Sequence, residues 1–154
     1  MNTPLSNIDL KNFIQEADIS DPNVVETSKL HNVQHMFHNR GHVILFHKWK
    51  QNDDVGHWIP IVRNENGDAT MFCSYGTQPN QIQGLTEALR AEGVKRLFIN
   101  DKKYQSSESA VCGRYSLFVI GCNKMGLTVD QIQQVLENGK KEFGSYDKFI
   151  MSLF

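Results

Sequence analysis

Apolar positions change their spacing several times along the chain, and each change marks an element. Ile8, Leu10, Phe13 and Ile14 fall largely on one face of a first helix, with Ser6 as its cap. Asp18 to Asn23, containing Pro22, reads as a loop. A second helix is expected from about Ser28 to His38, stopping at Asn39-Arg40-Gly41. His42 to His47 is apolar on both faces and reads as a central strand. His57 to Val62 forms the next strand, Asn64 to Asp68 a turn, and Ala69 to Cys73 the returning arm of a hairpin. A helix from about Gln81 to Glu92 ends at Gly93, and Arg96 to Asn100 adds a strand. Cys112 to Lys124 carries few charges before Gly126, so it reads as the buried helix. Thr128 and Gln131 have the spacing of a capping box, and Tyr146 to Phe154 makes a short last helix. Helices at both ends and a small, mainly antiparallel sheet between them predict one α+β domain over residues 1–154.

Composition narrows the function classes. The chain has 154 residues, 40% hydrophobic and 21% charged, enough for a substantial core. Sixteen basic against seventeen acidic side chains give a formal charge of −1, which implies no strong nucleic-acid or membrane field. Its apolar runs are too short to span a bilayer, and Met-Asn-Thr-Pro-Leu-Ser lacks the features of a signal peptide. Three cysteines, an odd number, argue against a secreted disulfide framework and for a reducing compartment with a functional thiol.

The chemistry gathers on three residues. Cys112 opens the apolar helix, where the partial positive charge of a helix N-terminus lowers a thiol pKa, and Gly113 lets a substrate backbone approach. Gln105, seven residues upstream, can donate its side-chain NH2 to an oxyanion alongside the Cys112 N–H. His57 starts a strand after Gly56 and is the candidate base. Each residue alone is commonplace; the combination is that of a cysteine protease.

With these residues the chain resembles the adenovirus-type maturation proteases (adenain) and their ubiquitin-like-protease clan, including SUMO-specific proteases. The resemblance spans roughly residues 42–125 and rests on Gly56-His57-Trp58, Phe72-Cys73-Ser74-Tyr75-Gly76, Gln105, and Ser109-Ala-Val-Cys112-Gly113. Phe72-x-Ser-Tyr-Gly is similar to versions encoded by large DNA viruses, virophages and Maverick/Polinton elements. The resemblance implies a papain-like, adenain-like fold with Cys112 as nucleophile, His57 as base and Gln105 as oxyanion donor. Trp58, with Gly113, would wall a narrow substrate groove admitting small residues, often glycine. The implied substrate is a capsid or virion precursor polypeptide, cut during particle maturation in host cytoplasm, nucleus or virion. An activating peptide or nucleic acid is the partner the resemblance allows; no metal or cofactor, no membrane and a monomeric state are expected. An isopeptidase acting on ubiquitin-like modifiers and a degenerate, peptide-binding fold are the alternatives.

One position departs from the pattern. The family has Asp or Glu where this chain has Cys73, and a thiol accepts hydrogen bonds poorly. Cys73 as a weak orienter of a Cys112–His57 dyad, a substitute carboxylate (Asp68, Asp54 or Asp53), and loss of activity are the three readings. A Cys73–Cys112 disulfide would silence the enzyme. His31 and His35 would share a helical face, but no Cys lies at ligand spacing and there is no His-Glu-x-x-His motif, so no metal site is read there. Cys122 is expected in the core, and Lys95, Arg96, Lys102 and Lys103 on the surface around the loop leading to Gln105.

Overall fold

The computed structural model describes residue 12 and residues 23–38, 40–48, 56–105 and 112–154. Apart from residue 12, the first predicted helix lies outside the described residues, as do Asp53, Asp54 and the Ser109-Ala-Val approach to Cys112. Five strands form one sheet in the order β1 (Val24–Glu26), β2 (His42–Lys48), β3 (Gly56–Arg63), β4 (Asp68–Met71), β5 (Arg96–Ile99). Around it pack α1 (Leu85–Ala91), α2 (Cys112–Lys124), α3 (Val129–Phe143) and α4 (Tyr146–Ser152). The architecture is α+β, as the pattern predicts.

The sheet is mixed, which corrects the expectation of a mainly antiparallel one. β2, β3 and β4 pair antiparallel, but β1 runs parallel to β2 and β5 parallel to β4. Both outer strands arrive by crossovers, so their direction follows from connections that a local pattern does not encode. β1, only three residues long, falls between the loop expected at 18–23 and the helix expected from 28, where the pattern assigns no element. The second predicted helix is shorter than expected: a 3-10 helix covers Thr27–Asn32, and His35 (φ 58) and His38 (φ 47) take left-handed backbone that no helix continues through. His31 and His35 therefore do not share a helical face. Likewise Gly84, at φ +83, separates a 3-10 turn at Pro79–Gln81 from α1.

Where the pattern was strong the match is close. α2 spans Cys112–Lys124 with Tyr115, Phe118, Val119, Ile120 and Cys122 buried. Thr128 and Gln131 exchange both bonds of a capping box at the start of α3. Asn66 and Gly67, both at positive φ, turn the β3–β4 hairpin.

Alternation along β3 divides the interior. His57, Ile59 and Ile61 face a core with Val43, Leu45, Met71, Leu30, Leu85 and Leu89. Trp58 and Val62 face the other way, onto Ile44 and Ile120 of α2. Beyond them α2, α3 and α4 close a second core around Tyr115, Phe118, Leu136 and Phe149. There Gly139 of α3 touches the Phe149 ring so closely that a Cβ would overlap it. No helix among the described residues is long and apolar enough to cross a membrane.

Candidate active site

The end of β3 that begins at Gly56 carries His57 and Trp58; Cys112 approaches it at the Trp58 N–H, and Gln105 approaches it through Tyr75. A Cβ on Gly56 would overlap the His47 carbonyl, so only glycine lets β2 and β3 close together here. Strand geometry then aims a donor. Phe72 N–H donates to Pro60 O at 3.1 Å, so the backbone groups of Pro60 and Trp58 point toward β4. Pro60 has no N–H to offer that ladder, and β4 leaves it after Phe72 by turning, with Gly76 N–H donating to Cys73 O at 2.9 Å. The Trp58 N–H is thereby left beyond the strand's end, and Cys112 lies within reach of it.

Cys112 is the first residue of α2 and is buried. Burial pushes its thiol pKa up, against the opposing pull of the N–H groups of Trp58, Gly113 and Cys112 itself; the neighbouring Cys73 adds to the rise. Among the described residues these N–H groups are the thiol's hydrogen-bond donors. A substituent at Gly113 would meet the Trp58 indole at 3.9 Å, and Trp58 in turn packs on Phe46 with ring centroids 4.7 Å apart. Trp58 and Gly113 thus form one wall beside the sulfur.

His57 is fully buried. Its ring meets the edges of His47 at 5.4 Å and Tyr75 at 5.2 Å between centroids, and its Nε2 lies 3.3 Å from Thr77 Oγ1. Burial, and then the charge of His47, hold its pKa down at about 4. At pH 7 the imidazole is therefore uncharged, and burial favours the protonated form of the Cys112 thiol as well.

Gln105 is buried at the end of a loop stitched to the turn after β4. Tyr104 and Gln105 N–H groups both donate to Ser74 O, at 2.8 and 2.9 Å. The Ser74 hydroxyl donates to Gln105 Oε1 at 2.7 Å, and Gln105 Nε2 donates to Tyr75 Oη at 2.9 Å. Asn100 anchors the loop by accepting from Cys73 N–H at 2.9 Å and donating to Cys73 O at 2.8 Å. Gln133 of α3 holds it from below, accepting from Asp101 N–H at 2.7 Å and Tyr104 Oη–H at 3.0 Å.

Cys73 is buried among Ile59, Ile61 and Met71, on the same face of the sheet as His57. Asp68, a substitute acid in the sequence reading, is at the far end of the hairpin and bonded by Arg96 at 2.9 and 2.8 Å, so it does not serve His57. Cys122 lies in the core, as expected. Arg96 and Lys102 are tied to Asp68 and Glu137. Tyr75 is the residue that sequence reasoning left without a role, although its motif was noted. It meets the His57 ring and the Gln105 amide, and its hydroxyl pKa is raised by burial and then by Cys112, Asp147 and Cys73. Among the described residues no three His, Cys, Asp or Glu gather as metal ligands.

No model of a protein family matches the chain, and no curated protein matches it. The site's own geometry carries the functional reading.

The His57 pKa has a consequence for stability. The unfolded chain takes up a proton near pH 6.5, whereas the folded one resists until about pH 4. Between those values the unfolded state binds more protons, so stability is full above pH 6.5 and falls as pH drops toward 4. At 1.36 kcal/mol per pH unit the loss reaches about 3 kcal/mol. His42 and His47, also lowered by burial, act in the same direction. Denaturant midpoints at pH 7, 5.5 and 4 should decline accordingly, and a His57→Gln variant should flatten the decline.

Proposed function

We propose that this protein is a thiol endopeptidase of the adenovirus-maturation-protease type, cutting precursor proteins of a virus or virus-like particle beside small residues. The observation that supports the reading is the approach of Cys112 and of Gln105 to the strand end that carries His57 and Trp58. The Cys112 thiol reaches the Trp58 N–H, His57 adjoins Trp58, and Gln105 contacts Tyr75 against the His57 ring. In the reaction the Cys112 sulfur attacks the peptide carbonyl carbon while its proton passes to His57. The tetrahedral oxyanion takes hydrogen bonds from Gln105 and the Cys112 N–H. Collapse breaks the C–N bond, His57 gives its proton to the leaving amine, and a thioester remains. Water then adds, with His57 taking a proton and returning it to the departing sulfur. Hydrogen bonds of this kind tighten when substrate fills the site.

The wall made by Trp58 and Gly113 supports a preference for small residues. A randomised peptide library, read by mass spectrometry, should show cuts after small residues with glycine beside the scissile bond. A demand for a bulky or basic residue there would refute the narrow groove. The uncharged imidazole favours a second reading, a peptide-binding fold without turnover, which predicts retention of the same peptides uncut.

A further inference from the structure

The group that orients His57 need not be the residue at the family's acid position. Asn100 takes up both backbone groups of Cys73, and that residue's side chain is buried in the core that also holds Ile59, Ile61 and Met71, with no hydrogen bond to the imidazole given by the structure. Three residues on, the chain has reversed at Gly76, whose φ of +81 suits glycine. The reversal returns Thr77 to the imidazole, Oγ1 at 3.3 Å from Nε2. The rings of His47 and Tyr75 meet that imidazole edge-on, at interplanar angles of 83° and 80°, and set its tilt.

We propose that Thr77 is the positioning residue of His57, its hydroxyl oxygen accepting the Nε2–H and so fixing the tautomer that presents Nδ1 as the base. The inference rests on the thiol-peptidase reading. In this arrangement Nδ1 takes the Cys112 proton and later yields it to the leaving amine, while the Nε2–H stays with Thr77 throughout. The bond strengthens when the ring becomes a cation, because charged donors make stronger hydrogen bonds. A hydroxyl fixes direction and tautomer without the charge of a carboxylate. The chain therefore keeps an oriented base although its acid position holds a thiol.

The imidazole nitrogens of His57 in the full-length protein, observed by 15N NMR at neutral pH without substrate, test this directly. The wild type should show a protonated Nε2 and a bare Nδ1. Thr77→Val and Thr77→Ala should mix the tautomers, Thr77→Ser should keep the wild-type one, and Cys73→Ala should leave it in place. An Nδ1–H tautomer in the wild type, or a Thr77→Ala spectrum identical to it, would overturn the assignment. With a cleaved peptide, Thr77→Val should lower kcat about tenfold at unchanged KM, and Thr77→Ser should restore it. Failure of the wild type to cut any peptide would sink the peptidase reading alone, because the tautomer result stands without turnover.

Discussion

Alanine at Cys112 should leave a folded protein in which peptide cleavage has fallen by about 10⁴-fold or more in kcat. In the proposed reaction the sulfur is the atom that bonds to substrate, and the neighbouring thiol, Cys73, is buried in the core. Trp58 and Gly113 supply N–H groups to it, and His57 is the base of the proposed reaction. Removing one small, buried sulfur costs about 1 kcal/mol of stability, so the fold survives. Cys122 provides the contrast. It is fully buried in the same helix, and burial pushes its thiol pKa up, so it is inert packing. Cys122→Ala should lose stability and keep its turnover per folded molecule. Single-turnover kinetics with thermal melts on both variants separate the two effects. Full activity in Cys112→Ala would end the reading.

Gln105→Ala should lower kcat by about 10²–10³. The amide is held at both ends, by the Ser74 hydroxyl on its oxygen and by Tyr75 Oη on its nitrogen. Such bracketing fixes which end presents N–H, as an oxyanion donor requires. Its removal also strips partners from Ser74 and Tyr75 in a buried setting, which costs about 1–3 kcal/mol of stability. Gln105→Glu separates the roles, because it keeps the shape while replacing the NH2 with an acceptor. Both variants should lose turnover at similar KM. Unchanged kcat in a stable Gln105→Ala protein would return this residue to the loop.

The strongest periodicities were legible in the sequence. α2 is a long apolar run opened by the Cys112-Gly113 pair, the hairpin carries Asn66-Gly67, and α3 carries its own capping box. What escaped was non-local. Three residues of β1 and four of β5 pair parallel to strands they reach by crossover, and no local spacing records that. The helix expected over 28–38 has apolar residues at helical spacing, yet Met36 and Phe37 reach the core through a turn at His35 and His38. In the site, Cys112, His57 and Gln105 are conspicuous by residue type. Tyr75 and Thr77 are ordinary turn residues, and only the chain reversal at Gly76 gives them the imidazole as a neighbour.

The division of the interior by β3 has a consequence for how the protein loses activity. Cys112 belongs to the layer of α2, α3 and α4, whereas His57 belongs to the opposite layer, with Leu30, Leu85 and Leu89. Among the described residues the start of β3 joins them, because residues 57 and 58 point to opposite sides of the sheet. On the proposed function, Cys112 and His57 are registered against each other only while both layers sit squarely on the same sheet. A slight slip of either layer would separate them long before either core opened to water. Cleavage by the proposed peptidase would then be a vernier for the seating of the two layers.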